Sequence, residues 1–222
     1  MNRMNPLPEL PDRIDGLGRL AYNLWWSWHR PAWHLFRVLA PHAWRDSDHN
    51  PIRMLAMLPE NALEEAAERE DFLSQYDAVM DRFEKDVSSK DGWFPEAHDR
   101  TQSPLAYFSA EYGLHSSLPV YAGGLGVLAG DFLKECSDLA VPVVAVGMIY
   151  SQAYVHQRIR EDGWQEDVEE SVDRTYNPIT RVLGDDGEPL TVRVPALEPV
   201  VHVGFWEVKV GRDRKSTRLN SS

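Results

Sequence analysis

The chain has 222 residues, with 23 Lys and Arg against 35 Asp and Glu, a formal net charge of −12. That balance argues against nucleic acid as the main partner, because phosphate backbones are held through surplus Lys and Arg. At 43% hydrophobic and 26% charged residues the composition suits a globular chain that buries a core, and a single cysteine, Cys136, leaves no intramolecular disulfide and no Cys-rich zinc site.

The N-terminal residues Met1 to Pro8 lack the apolar stretch of a signal peptide, and no run of about 18 apolar residues occurs. A cytoplasmic protein without membrane contact is expected. From about residue 10 to residue 90 the pattern is helical. Ile14, Leu17, Leu20/Ala21 and Leu24/Trp25 recur on one face. Pro31 suits the first turn of a second helix carrying Trp33, Phe36, Val38 and Leu39. Asn50-Pro51 reads as an N-cap followed by proline, opening Ile52 to Leu58. Asn61 to Ala66 and Phe72 to Val87 are further amphipathic runs. Five of the eight tryptophans (Trp25, Trp26, Trp28, Trp33 and Trp44) fall in one short stretch, where helical spacing favours core packing over sugar stacking.

A boundary is expected at Ser88-Ser89-Lys90-Asp91-Gly92, giving an all-helical module over 1–98 and a different unit over 99–212. Pro104 to Ser109 and Pro142 to Tyr150 are continuous apolar runs of the kind found in parallel strands buried on both faces. Between them Leu125, Leu128, Phe132, Cys136 and Leu139 mark one apolar helix face, so strand, helix and strand form a βαβ unit. Asp162-Gly163 and Asp185-Asp186-Gly187 are turn signals, and the alternating stretches 190–194 and 200–210 read as antiparallel hairpins.

The segment Val120 to Asp131 holds Gly123-Gly124-Leu125-Gly126 at the start of the βαβ helix. Glycines there let the backbone approach a ligand, and a helix N-terminus offers unpaired N–H groups to an anion such as phosphate. The stretch formally satisfies G-x-G-x-x-G/A, but no acidic residue stands about 20 positions on to hold a ribose. Phosphate or sugar phosphate therefore fits better than a nicotinamide cofactor, and a purely structural turn is the competing reading. The eight histidines form no HExxH pattern, no G-x-S-x-G elbow exists, and Cys136 sits on the apolar helix face. No metal is expected. Glu166-Asp167-Val168-Glu169-Glu170 reads as a solvated face, or as an acid in a sugar site.

The block Tyr107 to Asp131, with Ser137-Asp138-Leu139, Gly147 to Tyr150, Gln157-Arg158 and Asp162 to Gln165, closely resembles the bacterial and archaeal α-glucan (glycogen or maltodextrin) phosphorylases. The region Asn23 to Trp28 resembles the N-terminal helical extension of their shorter branch. The resemblance covers about residues 7–210. It implies an α/β fold in which the helical module precedes part of the N-terminal Rossmann-like lobe of a two-lobed GT-B glycosyltransferase. The implied reaction is phosphorolysis of terminal α-1,4-linked glucose to glucose 1-phosphate, with pyridoxal 5'-phosphate as cofactor and α-1,4-glucan and inorganic phosphate as partners; a homo-oligomer is compatible with it. Residue by residue, Gly123, Gly124 and Leu125 would line the phosphate and glucose site, with Glu111, Gly123 and Gly124 near the cofactor. Gly113 stands where animal and plant enzymes carry a cofactor-contacting tyrosine. The attachment lysine and the main catalytic residues are expected in a C-terminal lobe, so the chain alone is expected to be inactive. Two other readings are a starch or glycogen synthase, which also uses a Gly-Gly-Leu-Gly loop, and a non-catalytic carbohydrate-binding module built on the tryptophans.

The last ten residues, Asp213 to Ser222, are polar and aperiodic and resemble the conceptual translation of a sequencing-adaptor oligonucleotide. They are expected to be read-through, with the natural protein continuing beyond about residue 212. Their three basic residues against one acid carry two positive charges, leaving −14 for the rest.

Overall fold

A computed structural model describes residues 6–98, 103–149, 156–168, 174–195 and 200–212. Tyr150, Glu169, Glu170 and the 213–222 segment lie outside the described residues. The helical half contains α1 (Gly16–Tyr22), a 3₁₀ turn over Leu24–Ser27, α2 (Arg30–Leu39), α3 (Pro41–Asp46), α4 (Pro51–Met57), α5 (Glu60–Glu68), α6 (Glu70–Ser88) and α7 (Trp93–Ala97). Proline occupies the first turn of α2, α3 and α4, where its missing N–H costs no hydrogen bond. Asn50 caps α4 as its sequence suggests, its side chain accepting from the amides of Ile52 and Arg53 at 3.0 and 3.1 Å. The Asn50 Nδ2 donates to the Tyr176 carbonyl at 2.9 Å and so ties this helix to a distant segment.

The tryptophans form the centre of the core. Trp26 and Trp44 are fully buried and Trp25 nearly so, which withdraws all three from stacking on a sugar. Trp26 packs edge-on against Phe36, Trp44 and His115, with ring centroids 5.8, 5.8 and 4.6 Å apart. Burial next to these rings lowers the His115 pKa to about 4. Its neutral Nδ1 accepts the Ser117 amide at 3.1 Å, which holds the 115–118 loop against the helices. The same buried cluster continues through Tyr112, Leu114, Leu118, Ala129, Leu133 and Ile179, so helices and βαβ segment share one core.

The second half contains β1 (Leu105–Phe108), α8 (Gly124–Asp138) and β2 (Val143–Val146), with β1 and β2 parallel and paired from Leu105 with Val143 to Phe108 with Val146. The βαβ unit is therefore present. Antiparallel pairs follow: β3 (His156–Ile159) with β4 (Gln165–Val168), β5 (Thr180–Arg181) with β8 (Trp206–Glu207), and β6 (Thr191–Val194) with β7 (Val201–Gly204). Gly163, with φ +84°, turns the β3–β4 ladder, and Gly187, with φ +78°, turns the chain between the bridged residues Leu183 and Pro189.

Two expectations need correction. The face of α8 that packs inward carries Gly126, Ala129, Gly130, Leu133, Cys136 and Ser137, while Leu125, Leu128 and Phe132 face out at 61%, 70% and 45% exposure. Small residues won the inner face because the helix axis comes so near the 112–113 backbone that larger side chains have no room. Nor are the parallel strands buried on both faces, since Phe108, Val144 and Val146 are exposed, in a sheet that has two strands among the described residues. This orientation predicts that Leu128→Asp leaves the unfolding free energy of the chain within about 0.5 kcal/mol of the parent. Leu133→Ala, on the inward face, should cost about 2 to 5 kcal/mol in the same urea titration.

Candidate functional site

The glycine turn and Glu111 meet at one place, the C-terminal end of β1. Leaving Phe108, the chain makes a tight polar segment in which the Ser109 hydroxyl donates to the Glu111 carbonyl at 2.9 Å. Tyr112 then turns inward, and its phenol donates to the carbonyls of Tyr107 and Val146 at 2.8 and 3.1 Å, bracing the segment against the ends of both parallel strands. Burial pushes the Tyr112 phenol pKa up and keeps it a donor. Ligands of open α/β sheets sit beyond the carboxyl ends of the parallel strands, and this is that location.

Helix α8 is pulled against this segment by glycine. A Cβ on Gly130 would fall on the Gly113 carbonyl, and one on Gly113 would lie 3.0 Å from the Gly126 carbonyl carbon and the Val127 nitrogen. The Gly113 amide donates to the Gly126 carbonyl at 2.7 Å. Gly113, a departure from the animal and plant enzymes at the sequence level, is thus required by the close approach of the helix.

The helix opens at Gly123, which has no side-chain cap, and continues through Gly124, Leu125 and Gly126, whose amides lack intrahelical acceptors. Among the described residues, chain neighbours and the helix's own backbone apart, no atom lies within 4 Å of a Cβ built on Gly123 or Gly124, so these residues leave the face in front of the two glycines open. The Glu111 Oε2 accepts the Ala122 amide at 3.1 Å, immediately before the turn, and lies 3.1 Å from a Cβ built on Gly126. Gly123, Gly124, Leu125 and Glu111 are therefore brought together, with orphan amides on one side and a carboxylate on the other. The arrangement offers donors and a positive helix end to an anion, while Glu111 opposes a second negative charge unless a proton or cation compensates it.

Other candidates do not join this site. Glu166 pairs with Arg158 across the β3–β4 ladder and Asp167 receives Gln157, as a solvated hairpin face does. Cys136 is buried, and burial raises its thiol pKa. Among the described residues no group of three or more His, Cys, Asp or Glu side chains is placed to hold a metal ion, and no helix is long and apolar enough to cross a membrane. Sequence reasoning missed the cleft of about 560 Å³ lined by Leu10, Tyr22, Phe83, Pro178, Glu207 and others, between the N-terminal segment and the β5–β8 ladder. Nothing in the local pattern signals it, because its walls come from four separate stretches.

Residues 10–118 match the protein family described as "Protein of unknown function (DUF3417)". Over 204 residues the chain is 38% identical to a maltodextrin phosphorylase of Thermococcus litoralis, covering 92% of this chain and 24% of that protein. It is 42% identical over 202 residues to a glycogen phosphorylase of Aquifex aeolicus, with coverage of 90% and 28%. The chain is a relative of the glycogen and maltodextrin phosphorylases. A glycogen phosphorylase of Mycobacterium tuberculosis is 35% identical over 219 residues, 96% of this chain and 25% of the relative. The chain therefore spans about a quarter of the length of these phosphorylases. No solved structure matches it.

The packing at Gly130 and the space at Gly124 make opposite predictions for one added methyl group. Gly130→Ala should lower the unfolding free energy by about 1 to 3 kcal/mol, because the Gly113 backbone has to move. Gly124→Ala should stay within about 0.5 kcal/mol of the parent in the same denaturant titration.

Proposed function

We propose that this chain supplies the N-terminal part of an α-glucan phosphorylase, an enzyme that transfers the terminal α-1,4-linked glucose of a glucan to inorganic phosphate and yields glucose 1-phosphate. The observation that carries the reading is the placing of the orphan helix-end amides of Gly124, Leu125 and Gly126 beside Glu111, at the carboxyl end of a parallel strand, in a chain at least 35% identical to three named phosphorylases. In this reading the helix end binds a phosphoryl oxygen, by orphan N–H groups that need no reorganisation as charge gathers on it.

Residues 123–126 and Glu111 fit a phosphorylated ligand on their donor chemistry, because they present several amides and one carboxylate that orients or exchanges a proton. Pyridoxal 5'-phosphate, when bound, would supply a phosphate group able to pass a proton to the substrate phosphate. Here Gly123, Gly124 and Glu111 would border that group, and Gly123, Gly124 and Leu125 the substrate side. The cationic ligands, the attachment lysine and the second lobe are assigned to the three quarters of the relatives that this chain does not span. The outward stripe of Leu125, Leu128 and Phe132 and the open two-stranded sheet accord with a lobe of GT-B type that carries further elements against them. Buried tryptophans speak against a free-standing carbohydrate-binding module, and phosphorylase relatives speak against a starch synthase.

The test is a phosphate titration of the 222-residue chain followed by amide NMR, with chloride at matched ionic strength as control. The largest saturable shifts are expected at Gly124, Leu125 and Gly126, with a Kd of about 1 mM, equivalent to about 4 kcal/mol. Shifts no different from those with chloride would reject the anion site.

A further inference from the structure

The inner face that α8 turns to the Tyr112-Gly113 segment is smooth. Gly113, Gly126 and Gly130 allow contact at backbone distance, but glycines provide no side chain to interlock, and one hydrogen bond, from Gly113 to Gly126, fixes the register there. At its far end, 15 residues or about 22 Å away, the same helix is held much more firmly, and by segments remote in sequence.

The segment Lys209 to Arg212 closes this end. The Leu24 amide donates to the Lys209 carbonyl at 2.8 Å, and the Asn23 carboxamide grips Gly211 twice, donating to its carbonyl and accepting its amide, both at 2.8 Å. Gly211 has φ +69°, and a Cβ there would fall on the Ser137 hydroxyl, so only glycine fits without displacement. Arg212 then reaches three carbonyls. Its Nε donates to Ser137 in the last turn of α8 at 2.8 Å, and its Nη1 to Ser89 and Asp91, just beyond α6, at 2.6 and 2.9 Å. Its amide adds a bond to the Ser137 hydroxyl at 3.0 Å. One guanidinium thus bridges the last turn of α8, where the Ser137 carbonyl also accepts the Ala140 amide at 3.2 Å, to the residues just beyond α6, near two helix C-termini whose dipoles favour a cation. The Trp28 indole donates to Asp138 at 3.2 Å and the Phe94 amide to Leu139 at 3.1 Å, completing the anchor.

We propose that Asn23, Gly211 and Arg212 are positioning residues for the glycine turn: by locking the C-terminal turn of α8 to the helical module, they set the axial position of its N-terminal amides at residues 124–126. A helix is stiff along its axis, and the smooth glycine contact leaves the polar clasp to decide how far α8 slides. The functional half of this inference rests on the anion site proposed above.

The test compares the 222-residue parent with Arg212→Ala, Arg212→Lys and Asn23→Ala, using Arg193→Ala on the exposed β6 strand as control. Two readouts are taken at a temperature where every variant is folded: phosphate affinity from the amides of residues 124–126, and hydrogen exchange along the first turns of α8, from Val127 to Gly130. Weakening of phosphate binding by about threefold or more, with faster exchange at Val127 to Gly130, is expected for Arg212→Ala and Asn23→Ala. Arg212→Lys should recover only part, since one ammonium lacks the fork that spans three carbonyls. Unchanged affinity and exchange in the folded variants would overturn the proposal, as would loss confined to the last turn of α8. Absence of a phosphate response in the parent would reject the anion site instead, and the clasp would then stand or fall on exchange at Val127 to Gly130 alone.

Discussion

The backbone contact between Gly113 and the first turns of α8 is the constraint on which the site depends. Because Gly126 and Gly130 present no side chains, the helix lies against the segment that follows β1, and the Glu111 carboxylate comes beside its first turn, Oε2 lying 3.1 Å from a Cβ built on Gly126 and accepting the Ala122 amide. Moving the helix outward by the width of one methyl group would draw Gly126 away from Glu111 and break the Gly113 to Gly126 hydrogen bond. The same closeness decides which face of α8 is buried. Ala129, Leu133 and Cys136 follow the glycines inward, and the bulkier stripe of Leu125, Leu128 and Phe132 is left facing out.

Local chemistry in the sequence anticipates much of this. Asn50-Pro51 announces the start of α4 because the cap and the proline act within three residues of each other. The two apolar runs and the helix between them announce a parallel pair, and the register from Leu105–Val143 to Phe108–Val146 agrees. The glycines of residues 123–126 point to an open helix end for the same reason, since their conformational freedom and missing side chains are properties of the residues themselves. Periodicity assigns the wrong face to α8 because an apolar stripe records what a helix can bury, and here closeness to Gly113 selects the small residues. The clasp at Asn23, Gly211 and Arg212 was illegible for a different reason: its partners are separated by up to 188 positions, and an Asn, a Gly and an Arg carry no pairing signal.

The site as built is electrostatically one-sided. Three orphan amides and a helix dipole favour an anion, yet Glu111 contributes negative charge beside them, and the chain as a whole is acidic. Binding of a phosphate dianion more tightly than the about 1 mM expected of this chain alone calls for basic groups from outside this segment, in keeping with a chain that spans about a quarter of its phosphorylase relatives. The tryptophan-rich helical module contributes rigidity: the buried Trp26 holds the 112–118 loop through His115, and the half-buried Trp28 and the clasp hold α8. Its contribution to the site is structural, exerted on both ends of the helix that carries the glycine turn.

The most direct test joins residues 1–212 to the complementary part of the Aquifex aeolicus glycogen phosphorylase and assays glucose 1-phosphate release from glucan and phosphate. A folded chimera should be active, and Gly124→Val, which crowds the open face before the amides, should raise the KM for phosphate. A folded chimera without phosphorolysis, or one whose KM for phosphate is unmoved by Gly124→Val, would contradict the proposed function.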